Sequence, residues 1–264
     1  MLRILIIGAG GRMGRALVRA ARELGGVRIS AAVTQAGSSH VGRDVGHVAG
    51  IEALGVPVIA DLPAALADSD VAIDFSTPAA AGANLAACVA AGKPLLLGTT
   101  GLPAELQADF ERASRHIPLL LAANTSLGVT LLLELVRQCA QVLPRQFDVE
   151  ILEAHHRLKK DAPSGTALAL GQVVAAAREQ SLEEVAVVNR AGAPVRRDGD
   201  IGFAVVRGGD LVGEHTVLFV GPGEQLSLTH RASDRAIFAR GALQAAIWLA
   251  GRAPGRYSMR DIIL

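Results

Sequence analysis

Aromatic residues are scarce in this chain of 264 residues, since Phe, Tyr and Trp together make up only 3% of the sequence. Half of the residues are nevertheless hydrophobic, and 19% are charged. This balance excludes a disordered chain and predicts a core built from Ala, Val, Leu and Ile. The length favours two domains or one large α/β unit.

The sequence also lacks a marked excess of basic or acidic residues. The sequence has 26 basic and 25 acidic residues, whereas proteins that bind nucleic acids or other polyanions usually carry a basic face or tail. We therefore expect no nucleic-acid partner.

Cysteine is rarer still. Cys88 and Cys139 have neither metal-ligand nor disulfide spacing, and both lie in Ala- and Leu-rich helical sequence. We interpret them as buried small hydrophobic residues of a protein in a reducing cytoplasm, and we predict no metal site.

Long apolar runs are absent too. The longest apolar stretch, residues 117–133, is interrupted by Pro118, by residues 124–126 and by Gly128. The apolar run before Gly8 is too short for the core of a signal peptide. We therefore expect no membrane span and a cytoplasmic location.

The first 125 residues alternate between short apolar runs and helical sequence. Near-continuous apolar strands with helices between them are typical of a parallel sheet covered on both faces. The expected fold class is α/β, with an N-terminal doubly wound sheet of the Rossmann type. The predicted strands are residues 3–7, 27–33, 71–75, 94–97 and 117–122.

The pattern changes after a predicted helix at residues 129–142. Residues 147–154 alternate between apolar and polar side chains, as in a half-buried strand. A helix is expected at 164–179, strands at 184–189, 201–207, 215–220 and 225–231, and a final helix at 236–250. This order predicts a smaller α+β domain with an antiparallel or mixed sheet. The expected domains are residues 1–126 with 236–264, and residues 127–235.

A glycine-rich loop follows the first predicted strand and opens the first helix. It reads Gly8-Ala9-Gly10-Gly11-Arg12-Met13-Gly14, with the spacing G-x-x-G-x-x-G. Glycines allow the backbone to turn tightly and approach a pyrophosphate, and a helix N-terminus supplies amide donors. The loop predicts dinucleotide binding. A tight turn without a ligand and a mononucleotide site are the alternatives.

Two further loops follow predicted strands of the same sheet. Ligands of open α/β sheets bind beyond the carboxyl ends of the strands, so both loops fall where a nicotinamide would lie. Taken singly, each reads as an ordinary loop of turn residues, and together they favour a binding site. They are Gly98-Thr99-Thr100-Gly101 and Ala122-Ala123-Asn124-Thr125-Ser126.

A cationic loop after the 147–154 strand is the most informative stretch. It runs Glu153-Ala154-His155-His156-Arg157-Leu158-Lys159-Lys160-Asp161-Ala162-Pro163-Ser164-Gly165-Thr166. Ser164 is a good N-cap, and a helix N-terminus beside cations suits a small dianion. Only three of the 26 cations are lysine, and two of those three lie here. Histidine and lysine can both transfer protons, which favours acid–base chemistry over a solvated basic loop.

These motifs resemble those of bacterial 4-hydroxy-tetrahydrodipicolinate reductases, formerly called dihydrodipicolinate reductases. The resemblance runs nearly end to end and includes residues 201–203, 213–216 and 259–261. It implies NADPH- or NADH-dependent reduction of a small cyclic dicarboxylate to tetrahydrodipicolinate, in lysine and diaminopimelate biosynthesis. It also implies a homotetramer built by the sheet of the second domain.

The resemblance further implies roles for single residues. His155 corresponds to the general acid/base and Lys159 to the proton donor. Substrate contacts fall to His156, Gly165 and Thr166, and we add Ser164 and Thr100 to that set. Residues 8–13, 98–100 and 122–125 would line the cofactor site, and Gly14, Thr34 and Gln35 join them. Lys160 is assigned no catalytic role.

The end of the second strand bears on the choice of cofactor. Dinucleotide folds usually carry an acidic residue there, and this family often follows it with a base. Here Thr34 and Gln35 carry neither charge. Arg12 is then the nearest predicted cation to a 2′-phosphate, and Arg43 could approach only if its loop folds back. We predict dual use with a modest preference for NADPH.

Two other functions stay open at this point. One is a different two-domain NAD(P)-dependent dehydrogenase of a small amino or dicarboxylic acid, although a semialdehyde type would need a cysteine at a strand end. The other is a non-catalytic dinucleotide sensor, which would need no proton donor.

Overall fold

The structure is a computed structural model and describes residues 1–188, 190–191 and 195–264. The strands are β1 (Leu2–Ile7), β2 (Val27–Val33), β3 (Val58–Ile59), β4 (Val71–Asp74), β5 (Leu95–Leu97), β6 (Pro118–Leu121), β7 (Asp148–His155), β8 (Ala186–Val187), β9 (Ile201–Arg207), β10 (Gly213–Gly221), β11 (Glu224–Ala232) and β12 (Gly255–Tyr257). The helices are α1 (Arg12–Glu23), α2 (Val45–Ala49), α3 (Leu62–Ala67), α4 (Pro78–Ala90), α5 (Gln107–Ala113), α6 (Leu127–Val142), α7 (Gly165–Ala177), α8 (Leu182–Val185), α9 (Ala236–Leu249) and α10 (Arg260–Ile263), with a 3₁₀ turn at Ala104–Leu106.

The chain divides into two compact units. The first comprises Met1–Leu127 and Ala236–Leu264, and the second comprises Gly128–Arg235. No helix of the described residues has both the length and the apolar character needed to cross a bilayer.

The first unit contains a parallel sheet in the strand order β12-β6-β5-β4-β1-β2-β3. Successive side chains of a strand point to opposite faces. In β1, Ile4 and Ile6 therefore pack on one face with α1 and α9, while Leu5 and Ile7 pack on the other with α3, α4 and α5. The order of the strands reverses between β1 and β4, which is where open α/β sheets form a crevice for ligands. The predicted doubly wound fold is confirmed.

The second unit contains a mixed sheet in the order β11-β10-β7-β9-β8. Strand β10 is antiparallel to both β11 and β7, whereas β7, β9 and β8 run parallel. One face of this sheet packs on α6 and α7, and its core includes Val149, Ile151, Val217 and Phe219. The predicted α+β character and mixed sheet are confirmed.

The strand predicted at residues 184–189 is wrong in its first half. Glu184 and Val185 end helix α8, and only Ala186 and Val187 form a strand. Glu183 and Glu184 in the first turn stabilise this short helix because acidic side chains suit a helix N-terminus. Asn189 lies outside the described residues.

A segment that the sequence left unassigned is organised by one carboxylate. Asp44 Oδ1 accepts hydrogen bonds from the amides of Gly46 (2.8 Å), His47 (3.3 Å) and Leu54 (3.0 Å), and Oδ2 accepts one from Val56 (3.1 Å). Burial raises the pKa of Asp44, but the four amide hydrogen bonds outweigh this effect and hold the pKa below its ordinary value. Asp44 therefore both caps α2 and holds the turn that leads to β3.

We expect the substitution Asp44→Asn to lower the free energy of unfolding by about 1–3 kcal/mol, because an amide group turned toward backbone N–H groups leaves partly buried donors unsatisfied. The matched control is Asp61→Asn, since Asp61 caps α3 through a single hydrogen bond from Ala64 N. Asn caps helices about as well as Asp, so this change should cost only a few tenths of a kcal/mol.

Urea unfolding at neutral and acidic pH measures both variants. Because the pKa of Asp44 is lowered by folding, its charge stabilises the protein above the unfolded pKa of about 3.9. That stabilisation is lost as the pH falls through the folded pKa. The difference between wild type and Asp44→Asn should therefore shrink below about pH 4. Equal losses in the two variants at neutral pH would contradict the assignment.

Candidate active site

The glycine loop turns sharply between β1 and α1. Gly8 has φ +86°, and the amides of Gly8 and Ala9 both donate to Val33 O, at 2.9 and 3.0 Å. A Cβ atom on Gly8 would lie 2.6 Å from Phe75 O, and one on Gly14 would lie 2.3 Å from Gly8 O. These contacts require glycine at both positions because no side chain fits there.

The N-terminus of α1 is open to an anion. Gly11 occupies the N-cap position without a side-chain cap, and the first turn has no acidic residue. The amides at a helix N-terminus and the helix dipole favour a phosphate group. The loop and the helix therefore fit a pyrophosphate.

A cavity of about 570 Å³ lies beside this helix in the first unit. All three loops predicted to bind the cofactor line this cavity. The predicted residues that line it are Gly11, Arg12, Met13, Gly98, Thr99, Thr100, Ala123, Asn124 and Thr125. The lining also contains Phe75, Ser76, Pro78 and Phe238, which no sequence motif predicted. Residues 75–78 follow β4, so the rule that ligands bind at strand ends could have found them. Phe238 could not be found because it comes from a distant helix.

The other predicted cofactor residues do not line this cavity. Gly8, Ala9, Gly10 and Gly14 form the turn next to it, and Ala122 is buried at the end of β6. Thr34 is half-buried, its amide donates to Ile59 O at 3.0 Å, and Gln35 is exposed.

The loop after β2 also contacts the glycine loop. A Cβ atom on Gly10 would lie only 2.5 Å from His40 Cδ2, so the imidazole covers Gly10. Arg43 is exposed, and its carbonyl accepts a hydrogen bond from Val58 N at 2.8 Å. His40 had no sequence signal because its contact depends on the path of an irregular loop.

A buried carboxyl group orders the cavity edge. Asp74 is fully buried at the end of β4, where Oδ1 accepts from Ser76 N at 2.7 Å and Oδ2 accepts from Asn84 Nδ2 at 2.8 Å. Burial raises the pKa of Asp74. These bonds fix the turn that brings Ser76 to the cavity.

In the second unit, strand β7 ends in two buried polar side chains. Every second residue of β7 points to its buried face, and these residues are Val149, Ile151, Glu153 and His155. The side chain of Glu153 is completely buried, and its Oε2 lies 2.5 Å from His155 Nδ1. Continuing the apolar alternation by four residues could have shown that Glu153 lies inside, where a carboxylate needs partners.

Two neighbouring elements supply those partners. Arg207, at the end of β9, donates from Nη1 to Glu153 Oε2 at 2.7 Å and from Nη2 to Oε1 at 2.8 Å. The amide of Ser164, at the start of α7, donates to Oε1 at 3.0 Å. Burial would raise the pKa of Glu153, but the hydrogen bonds from Arg207, His155 and Ser164 give a net lowering. Glu153 is therefore ionised at neutral pH.

A second histidine completes this cluster. His215 Nε2 lies 3.0 Å from Ser164 Oγ, which also accepts a hydrogen bond from Ala167 N at 3.2 Å as the N-cap of α7. The rings of His155 and His215 meet edge to face, with centroids 5.1 Å apart. Burial and the neighbouring His155 lower the pKa of His215 to about 4. Burial also lowers the pKa of His155, although Glu153 opposes this effect. Both rings are thus mainly neutral at pH 7.

The remaining predicted residues lie in the loop after β7 and in the first turn of α7. Lys159 Nζ pairs with Asp161 Oδ2 at 2.8 Å, while Lys160 is exposed. His156 is half-buried, and its carbonyl accepts from Lys159 N at 3.1 Å. Gly165 is exposed and Thr166 is half-buried at the N-terminus of α7.

Comparison with known proteins covers nearly the whole chain. Residues 2–125 match the family described as "Dihydrodipicolinate reductase, N-terminus", and residues 128–263 match its C-terminal counterpart. A 4-hydroxy-tetrahydrodipicolinate reductase of Alkalilimnicola ehrlichii is 52% identical over 99% of this chain and 98% of that protein. One of Halorhodospira halophila is 51% identical over the same shares.

Among solved structures, the dipicolinate-bound dihydrodipicolinate reductase of Paenisporosarcina sp. TG-14 is similar over the full length of both chains. Its sequence identity is 25% and its TM-score is 0.81. The sequence identity, the fold and the glycine loop therefore all indicate the same family. The chain belongs to the dihydrodipicolinate reductase family, a family of pyridine-nucleotide-dependent oxidoreductases.

Proposed function

We propose that this protein reduces 4-hydroxy-tetrahydrodipicolinate, via dihydrodipicolinate, to tetrahydrodipicolinate with NADPH or NADH, as a step of lysine and diaminopimelate biosynthesis. The structural observation that carries the proposal is the buried Glu153–His155 pair beside the N-terminus of α7. Relatives about half identical in sequence are named for this reaction.

The first unit would hold the cofactor. The open N-terminus of α1 and the turn at Gly8–Gly11 suit the pyrophosphate, and the cavity residues Thr99, Thr100 and Asn124 suit the nicotinamide end. A bound nicotinamide supplies the hydride. The same unit offers Arg12 to a 2′-phosphate, because this cation lines the cavity and is exposed.

The second unit would hold the substrate. The amides of Gly165 and Thr166 begin α7, where the helix dipole favours a carboxylate, and His156 and Lys159 add donors from the preceding loop. The related structure from Paenisporosarcina contains dipicolinate, a planar dicarboxylate. A small dicarboxylate is therefore the class of substrate that this helix end suits.

The 4-hydroxy compound loses water to give dihydrodipicolinate, and the reduction then adds one hydride and one proton to this intermediate. His155 can exchange a proton near neutral pH, and Lys159 carries a proton on a flexible side chain. Arg157 and Arg207 cannot serve in their place because a guanidinium does not release its proton at these pH values. We assign proton transfer to His155 and Lys159.

The alternatives fit the structure less well. Cys88 is buried inside α4, and burial raises the pKa of its thiol to about 12, which excludes it as the thiolate of a semialdehyde dehydrogenase. Cys139 lies within α6, away from any strand end. A dinucleotide sensor would not need the His155 cluster. Both thiols are free, which supports the cytoplasmic location that we propose.

We expect His155→Gln and Lys159→Ala to lower kcat by about 10²–10⁴-fold, since general acid catalysis has that value. The KM for NADPH should change little because both residues belong to the second unit. Lys160→Ala is the matched control, since it removes an exposed neighbouring cation and should keep full activity. Steady-state NADPH oxidation at 340 nm with freshly made synthase product is the measurement. Losses below about tenfold in both variants would refute these assignments.

A second prediction concerns the choice of cofactor. With no acid at Thr34 or Gln35 to repel a 2′-phosphate, and with Arg12 available to it, kcat/KM should favour NADPH over NADH by about tenfold to a hundredfold, the value of one charge-assisted contact. Arg12→Ala should remove this preference, whereas Arg22→Ala, at the far end of α1, should keep it. A wild-type ratio that favours NADH would contradict the prediction.

A third prediction concerns assembly into a homotetramer, which we propose because one sheet face of the second unit carries apolar side chains in solvent. The helices α6 and α7 pack on the opposite face. Leu152, Val206 and Val220 expose 38%, 54% and 36% of their surface on the outer face. Such faces favour association of identical chains.

Light scattering at micromolar concentration should therefore give the mass of a tetramer. Leu152→Asp combined with Val206→Asp should give a smaller species, because a buried interface does not accommodate unpaired charges. Val142→Asp, at an exposed site at the end of α6, should leave the mass unchanged. A monomeric wild-type protein would contradict the proposal.

A further inference from the structure

The proposed proton transfer, through His155 and Lys159, gives the buried carboxylate of Glu153 no role. Its carboxylate accepts four hydrogen bonds, two from Arg207, one from Ser164 N and one from His155. The guanidinium and the backbone amide can only donate, so they take up the lone pairs of an ionised carboxylate. The group at 2.5 Å from Oε2 must then also be a donor, and His155 Nδ1 carries a hydrogen.

This hydrogen bond decides which nitrogen of His155 is left for chemistry. With Nδ1 bound to Glu153, a neutral ring has its lone pair on Nε2. Nε2 faces Gly213, where a Cβ atom would lie 3.1 Å away. The missing side chain leaves space beside Nε2.

We infer that Glu153 is a positioning residue of this reaction: it fixes the Nδ1–H tautomer of His155 and so makes Nε2 the atom that exchanges a proton with the substrate. The inference rests on the proposed function, in which His155 transfers that proton. Arg207 and Ser164 N take part indirectly, because they hold the carboxylate in place.

The charges around His155 give the inference a second measurable consequence. The described groups that face the ring are Glu153 on β7, Lys159 in the following loop, Arg207 at the end of β9 and His215 on β10. Burial lowers the pKa of His155, and so do the positive charges of Lys159 and Arg207. The carboxylate of Glu153 raises it. Loss of the Glu153 charge should therefore lower the pKa of His155 further.

The test is Glu153→Gln. The side-chain oxygen of glutamine would stay at the Oε1 position, because Arg207 Nη2 and Ser164 N can only donate there. The Oε2 position has one fixed donor, Arg207 Nη1, and the His155 ring, which can change its tautomer. The glutamine NH₂ group would then point at Nδ1 and make that atom an acceptor, which moves the ring hydrogen to Nε2. A carboxylate-to-amide change of this kind can cost about 10⁴-fold in kcat by stabilising the wrong tautomer.

Two readouts are needed, one of them independent of catalysis. Nitrogen-15 NMR of the histidine rings in the free protein reports the tautomer and pKa of His155, whose signals are assigned by their loss in His155→Gln. We expect Nδ1–H in the wild type and Nε2–H with a lower pKa in Glu153→Gln. The value of kcat should fall by about 10²–10⁴-fold, with an unchanged KM for NADPH.

Glu150→Gln is the matched control, because Glu150 also lies on β7 and pairs with an arginine, Arg196, away from His155. It should keep both the tautomer and kcat. If Glu153→Gln does not fold, Glu153→Asp keeps the charge but shortens the reach to Nδ1. There, kcat and the fraction of the Nδ1–H tautomer should fall together.

Two results would overturn the inference. One is an unchanged His155 tautomer in either variant, whatever happens to kcat, because the loss would then be merely structural. The other is a switched tautomer with undiminished kcat. In that case His155→Gln separates the two proposals: if it is inactive, only the role of Glu153 falls, and if it is active, the role of His155 in the proposed function falls as well.

Discussion

A buried carboxylate is tolerated only when donors surround it, and this requirement organises the second unit. Glu153 meets it with a side chain from β9, the amide of the N-cap residue of α7 and a ring two residues further along its own strand. Strand β7, the start of α7 and the end of β9 must therefore meet at one point with hydrogen-bond accuracy. The proposed proton-transfer residue and the proposed carboxylate-binding helix are held by the same anion.

The first unit depends on a different constraint, the close approach of backbone to backbone. Gly8 and Gly14 allow the loop, the next strand end and the helix to touch without side chains between them. This contact leaves the N-terminal amides of α1 exposed toward the cavity. The two units thus accommodate negative charge in different ways. In the first unit, the absence of side chains exposes backbone amides to a phosphate. In the second unit, hydrogen-bond donors surround the buried Glu153 carboxylate.

Much of this could be predicted from the sequence because regular patterns carry it. The apolar runs gave the parallel sheet, and the glycine spacing and the cationic loop marked the residues that line the cavity or border Glu153. What escaped prediction depends on contacts between distant or irregular segments. Phe238 enters the cavity from a helix over a hundred residues away, and His40 reaches Gly10 from an irregular loop. Arg207 ends an ordinary strand, and only the fold shows which carboxylate it meets.

The discontinuity of the first unit bears on how the chain is made. Its parallel sheet ends in β12, which pairs with β6, and α9 packs against the same core as β1. All the residues of the second unit leave the ribosome before these segments do. The second unit can therefore reach its final structure first, although it comes later in the chain than most of the first. During synthesis, one edge of the larger sheet stays unpaired, and the part of its core that α9 covers stays exposed, until residues 236–264 arrive.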